Sequence, residues 1–233
     1  MSRYERQIPI VGEDGQMKLM SARVGIAGCG GLGVNALTCL VEAGVADFVL
    51  CDPDVPDISN LNRQFIYYAG DMRPKSMIAA EWVVALNCSA MVEARAEPVT
   101  YESAAMFTGC TVVLDCLDNI ESRLALGDWC AENGVTLVHA GVVANNGQVT
   151  VCVPGETPCL RCMIGTMKDT PTPPNMGSTV AVVASMEATE AIRVIVGLPS
   201  KARGRLITID MQDWTIESTE IASDPTCRRC GHQ

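Results

Sequence analysis

Two short cysteine pairs, Cys159-Leu160-Arg161-Cys162 and Cys227-Arg228-Arg229-Cys230, constrain this chain more than any other feature. Each has the two-residue gap that lets both sulfurs of a tight turn face one ion. Two such turns complete a tetrahedral sulfur site with no open position, which is the structural rather than the catalytic form of zinc. The long insert between the pairs is unusual for a small zinc finger. It obliges the fold to return a mid-chain loop to the C-terminal segment. The same spacing would serve two disulfides, but the rest of the sequence has the character of a reducing compartment.

Hydrophobic residues make up 48% of the 233 positions, enough for a sizeable core. The net charge of −10 opposes nucleic-acid backbones and acidic membranes, so neither is expected as a partner. Met1 to Arg6 carries no apolar leader, and no window approaches the roughly 20 apolar residues of a membrane span. A cytoplasmic location is therefore expected. Cys29, Cys39, Cys51, Cys110, Cys116, Cys130 and Cys152 sit in apolar surroundings and read as small buried hydrophobes.

The first strand is expected at residues 23–27, followed by a glycine turn and an apolar helix to about Ala43. Further strands are expected at 47–51, 92–99, 111–114 and 136–140, with helices at 75–87 and 120–133, the latter closed by Gly134. This alternation predicts a Rossmann-like, mostly parallel sheet with helices on both faces. The style changes after Gly141. Residues 147–154 alternate like an antiparallel strand, and 205–210 with 213–219 suggest a hairpin through Met211-Gln212. A Thr- and Pro-rich stretch at 168–178 reads as a mobile loop, and a long helix follows from about Thr179 to Val196. The expectation is one domain over 1–233. Residues 1–141 would bind nucleotide, and 142–233 would add antiparallel strands, the substrate part and the cysteine site.

Gly28-x-Gly30-Gly31-x-Gly33 follows a strand and opens a helix. Glycines there permit a tight turn and close backbone approach to phosphate, while the helix N-terminus favours an anion. Asp52 ends the next strand, where a carboxylate can accept from both ribose hydroxyls. These features alone do not separate NAD from ATP. An NAD-dependent oxidoreductase thus stands as an alternative, and a thermal-shift comparison of the two nucleotides would discriminate.

Further motifs follow in order: Pro53 to Gln64 with Asp54, Ser59-Asn60-Leu61-Asn62-Arg63 and Gln64; Arg73-Pro74-Lys75 opening a helix; and Asp118-Asn119 after a buried strand. Together with Arg3-Tyr4-Glu5-Arg6-Gln7, both cysteine pairs and Glu187 to Ile192, they resemble the ubiquitin-activating-type adenylyltransferases (the ThiF/MoeB/HesA family). The resemblance is strongest to proteins that activate sulfur carriers for thiamine and molybdopterin synthesis, and it spans nearly the whole chain. It implies ATP, Mg²⁺ and structural Zn²⁺ as cofactors. By that resemblance Gly28, Gly30, Gly31, Gly33 and Asp52 hold the nucleotide, Asn60, Arg63 and Lys75 the triphosphate, and Asp118 the Mg²⁺. Arg6 would reach into the partner's site of a homodimer. Asp54 either caps the following turn or assists the nucleotide.

Those residue types suit adenylation. A carboxylate must approach an anionic α-phosphate while pyrophosphate leaves, so cations and a hard divalent metal have to screen both. The nucleophile is already ionised, and no general base is needed. His139, at the end of a buried strand, reads as core, and Asp115 as a strand terminus. The chain departs from many relatives in one respect: no cysteine occurs from Met163 through Thr226, where a thioester-forming residue often lies. The expected reaction is therefore adenylation without a covalent step at that position. The expected substrate is the C-terminal glycine of a ubiquitin-like sulfur carrier. A small carboxylic acid of cofactor assembly, such as the pyridinol carboxylate of the iron-guanylylpyridinol hydrogenase cofactor, is the alternative. A binding-only scaffold is the remaining class, which adenylate formation by the purified protein would remove.

Overall fold

The chain alternates strand and helix through its first 143 residues: α1 (Ile8–Ser21), β1 (Arg23–Ala27), α2 (Gly31–Ala43), β2 (Asp47–Cys51), α3 (Lys75–Leu86), β3 (Met91–Arg95), β4 (Val112–Asp115), α4 (Ile120–Asn133) and β5 (Thr136–Val143). Then come β6 (Asn146–Cys152), the short α5 (Leu160–Ile164), α6 (Gly177–Val196), β7 (Arg205–Asp210) and β8 (Thr215–Glu220). The computed structural model describes residues 3–168 and 174–230. Among them, one eight-stranded sheet runs in the order β3-β2-β1-β4-β5-β6-β7-β8. The first five strands in that order are parallel, and β6, β7 and β8 are antiparallel.

The parallel strands inside the edge strand β3 are buried on both faces, and their two-residue period divides the core into two layers. Val24, Ile26, Phe48, Leu50, Val112 and Leu114 point to the layer beneath α2, α3 and α6. Ala27, Val49, Cys51 and Val113 point to the opposite layer, where Phe107, Leu126 and Trp129 close over them. Of the cysteines expected to be core, all are buried except Cys39, which is partly exposed.

The strand reversal beside β1 positions the site. β2 lies on one side of β1 and β4 on the other, so a crevice opens beyond the carboxyl ends of all three. The turn after β1 begins with Gly28 at φ 92°, and a Cβ there would meet the Cys116 carbonyl oxygen at 2.7 Å. At Gly33 a Cβ would overlap the Gly28 carbonyl oxygen, so this glycine is required for α2 to pack on its own turn.

Several boundaries differ from the sequence expectation. α1 forms where none was assigned: Pro9, Gly12 and Gly15 look like breakers, yet the helix kinks at Gly12 and continues against α6, with Gly15 close to Val196. The strand expected at 92–99 ends at Arg95, whose carbonyl accepts from the Asp52 N–H at 3.1 Å and turns the chain away before Pro98. The β7–β8 turn spans 211–214 rather than two residues. Asp210 Oδ1 accepts the Gln212 N–H, and Trp214 sits at φ 54°. α6 starts at Gly177, two residues earlier than expected. Of the loop expected to be mobile, residues 169–173 lie outside the described residues; Asn175 bridges to Ala144. No helix among the described residues is long and apolar enough to cross a membrane.

Candidate active site

The crevice is an open cleft of about 1200 Å³. Gly28, Gly30, Gly31, Asp52, Asp54, Asn60, Arg63, Lys75 and Asp118, drawn from five separate segments, all line it. Gly33 does not; its part is the packing just described. Arg6 is exposed ahead of α1 and is not among the residues lining this chain's own cleft.

Asp52 is locked in place. Its Oδ2 accepts the Cys29 N–H at 2.7 Å and its Oδ1 the Asp54 N–H at 2.8 Å, which joins the glycine turn to the end of β2. Burial pushes its carboxyl above the ordinary range, against the pull of Lys75 and these two N–H groups. Lys75 opens α3 with its stem buried, and its Nζ lies 3.2 Å from Asp54 Oδ2. Asp54 is otherwise exposed, so this ion pair can open toward an incoming anion. Tyr67 braces the same corner by donating its hydroxyl to the Cys29 carbonyl at 2.6 Å.

On the opposite lip, Asp57 and Asn60 form a reciprocal cap on a single 3₁₀ turn, Ile58–Asn60. Arg63 follows, with its stem over Gly31 and its guanidinium on two neutral oxygens, the Ser59 carbonyl at 3.0 Å and Asn62 Oδ1 at 2.8 Å. Asp118 is exposed between β4 and α4, beside Asn119, whose Oδ1 caps α4 through the Ser122 N–H at 2.8 Å.

The floor of the cleft holds a buried polar network that sequence reasoning did not find. Strand register sets Asp115 beside His139, and Asp115 Oδ2 lies 2.7 Å from His139 Nδ1. Arg123 of α4 reaches down to both, donating also to the carbonyls of Ala140 and Leu117. Gln148 of β6 approaches His139 Nε2 at 3.1 Å. Burial opposes the charge on Asp115, but Arg123 and His139 hold its carboxyl below the ordinary range. Burial, then Arg123, pushes His139 down against the opposing pull of Asp115, and the net shift favours the neutral ring. His139 is thus core, as expected, whereas Asp115 is an anchor and not merely a terminus. The available signal for Arg123 was its place four residues after Asn119, on the helix face that turns inward. Below, the one hydrogen-bond partner of the Glu187 carboxyl of α6 among the described residues is the Cys116 thiol, at 3.4 Å, and burial drives that carboxyl well up. Gln64 is a further residue without an expected role: it is buried, lines the cleft beside Gly30, and its Oε1 has no partner.

The two cysteine pairs meet at the far end of α4. Cys159, Cys162, Cys227 and Cys230 bring their sulfurs within 4.8 Å of one another. Neighbouring Sγ atoms are 3.4, 3.6 and 4.0 Å apart. A tetrahedron of sulfurs at about 2.3 Å from one ion has edges of about 3.8 Å, so the cluster fits a single tetrahedral metal.

The ThiF family model matches residues 4–229. The chain belongs to the ThiF family. The SAMP-activating enzyme E1 of Haloferax volcanii is 35% identical over 99% of this chain and 89% of its own length. The sulfur carrier protein adenylyltransferase of Thermus thermophilus is 33% identical over 100% and 92%. The sulfur carrier protein ThiS adenylyltransferase of Escherichia coli is 33% identical over 98% and 94%. Crystal structures of E. coli MccB share the fold, with a TM-score of 0.88 at 22% identity over 99% of this chain and 75% of MccB. Membership makes this ThiF-family chain an adenylyltransferase, using ATP, and sets aside the oxidoreductase alternative.

Proposed function

We propose that this chain condenses ATP with the C-terminal glycine carboxylate of a ubiquitin-like sulfur-carrier protein, releasing pyrophosphate and leaving an acyl-adenylate. The supporting observation is the convergence, on one cleft, of a glycine turn, a locked carboxylate and two cations, Arg63 on neutral oxygens and Lys75 on a single solvent-facing carboxylate. The relatives named for sulfur carriers support the choice of substrate.

In this reading the N–H groups of the glycine turn and the start of α2 hold phosphate oxygens. Asp52 receives the ribose hydroxyls on its remaining lone pairs. Asn60, Arg63 and Lys75 hold the triphosphate, and Asp54 releases Lys75 as the anion arrives. The carrier's carboxylate oxygen attacks the α-phosphorus; the new P–O bond forms as the α–β bridge breaks, and its electron pair leaves on pyrophosphate. Asp118 would hold Mg²⁺, a hard cation that would supply charge screening for the phosphates. Cys159, Cys162, Cys227 and Cys230 would hold zinc as a structural tie with no part in a step. Arg6 would complete the site of a second copy in a homodimer. Ile10, Met17 and Met20 of α1 support that, as exposed apolar side chains close in sequence to Arg6. Residues 1–141 and 142–233 would act as nucleotide and substrate halves of one domain, which the unbroken sheet supports. The cysteine-free stretch from Met163 to Thr226 supports a reaction that ends at the adenylate.

Pyrophosphate exchange into ATP tests this. Exchange should require a carrier with a free C-terminal glycine carboxylate and vanish when that carboxylate is amidated. Exchange sustained by a small carboxylic acid alone, with carriers inert, would overturn the carrier assignment.

A further inference from the structure

Each cysteine turn carries an arginine between its metal ligands, and both arginines converge on one carboxylate. Arg161, inside the first pair, makes a two-pronged contact with Asp128 of α4: Nε to Oδ1 at 2.9 Å and Nη2 to Oδ2 at 2.6 Å. Arg229, inside the second pair, places its Nε 3.2 Å from the same Oδ2. One helical turn further, Glu132 pairs with the other end of Arg229 and accepts the Tyr101 hydroxyl. The Tyr101 ring also lies under the Arg229 guanidinium, 5.7 Å away.

We propose that Asp128, seconded by Glu132, is the clasp that positions the two cysteine turns and governs how firmly the knuckle keeps its metal. This rests on the zinc reading above. Three observations carry it. First, Asp128 is buried, with its side chain 7% exposed, and a lone carboxylate there would be costly; it persists because two guanidiniums share it. Second, residues 221–230 form no helix or strand, so the second cysteine turn depends on side-chain ties to reach the first. Asp128 spans the gap by holding one arginine from each turn. Third, four thiolates around a divalent ion leave two net negative charges. Arg161 lies within electrostatic reach of the Cys159 and Cys227 sulfurs, and the α4 carboxylates, which match the two guanidiniums in charge, fix where those guanidiniums stand beside the cluster. For the metal to leave, the second turn must swing out, and these ion pairs must break with it.

The test is zinc release from the purified holoprotein into excess chelator, followed by a chromogenic metal indicator. The wild type should carry one zinc per chain and release it slowly. Asp128→Asn should release it about 10- to 100-fold faster, the usual consequence of losing a partner of the ligand shell, with an unchanged far-UV spectrum before release. Arg161→Lys, which keeps the charge but not the planar fork, should fall between the two. Glu121→Gln, an exposed acid on the first turn of the same helix, should match the wild type. Should Asp128→Asn fail to fold, the double variant Arg161→Gln/Arg229→Gln removes the clasp from the other side and should give the same acceleration. Release from the variants within twofold of wild type, or equal acceleration in Glu121→Gln, overturns the clasp while leaving the zinc reading intact. A wild-type protein purified without metal, and unable to bind zinc on addition, overturns both.

Discussion

The two ends of α4 handle charge in opposite ways. In the cleft onto which its N-terminus opens, Asp118 is exposed, Arg63 rests on neutral oxygens, and Lys75 holds one solvent-facing carboxylate. At its last turns, on the cysteine knuckle, Asp128, Glu132, Arg161 and Arg229 satisfy one another. The cleft floor sides with the knuckle: Asp115, His139 and Arg123 lie within the site, yet every charge among them is matched. Charge left unspent by the fold is what a triphosphate can use. Charge spent within it is architecture, even a few ångströms from the chemistry.

The comparison can be broken by removing one member from each group. The largest effect is expected at the knuckle. Cys227→Ser should cost several kcal/mol of stability, a part of the roughly 10–16 kcal/mol that structural zinc contributes in small zinc peptides. Pyrophosphate exchange per folded molecule should survive. A melting temperature unchanged despite complete metal loss would contradict the structural role. Next is the cleft floor. Arg123→Met leaves Asp115 buried without its guanidinium and should destabilise by about 3–5 kcal/mol, read as a lower denaturant midpoint. A variant as stable as the wild type but catalytically dead would move Arg123 from floor to machinery. At the rim, Asp118→Ala should reduce pyrophosphate exchange by at least about 10²–10³-fold, near 3–4 kcal/mol of transition-state stabilisation. Its melting temperature should barely change, because Asp118 is exposed and its one side-chain contact among the described residues is a long, solvent-facing hydrogen bond from Asn119. Normal exchange would remove Asp118 from the metal site.

These two kinds of charge were not equally legible in the sequence. The cysteine turns, the glycine turn and the Asp118-Asn119 corner are local patterns whose chemistry depends on spacing, so they could be read before any fold was known. Asp115, His139 and Arg123 come together through strand register and the inward face of α4, which are tertiary facts. Asp128 was hidden for the same reason, since its partners lie 33 and 101 positions away in the chain. The alternating core strands were readable because burial on both faces demands apolar runs at Val24–Ala27 and Val112–Leu114. α1 was not, because Pro9, Gly12 and Gly15 are poor helix formers by themselves. The small Gly15 is instead what permits close packing against Val196 of α6.

The smallest effect expected is also the finest division between rim and floor. Glu187 is fully buried and has no ion pair among the described residues; burial first, then Asp115, lifts its carboxyl well above its ordinary value of 4.5, against the weaker pull of the Cys116 thiol and the Arg123 guanidinium. Below that value both folded and unfolded chains hold the proton, and Glu187 costs nothing. As pH rises above 4.5 the unfolded chain releases the proton while the folded chain keeps it, so stability falls until the folded value is passed. Glu187→Gln preserves the shape and leaves a carbonyl oxygen for the Cys116 thiol, but it has no proton to keep. The variant should therefore match the wild type near pH 4 and melt about 2–4 °C higher at pH 8. Asp115 and His139, whose folded values are depressed, act in the opposite direction: they withdraw stability as pH falls, and they do so equally in both proteins. The difference between the two melting curves thus isolates Glu187. A constant difference from pH 4 to pH 8 would mean that this carboxyl is ionised in the folded protein and belongs with the unspent charges of the cleft.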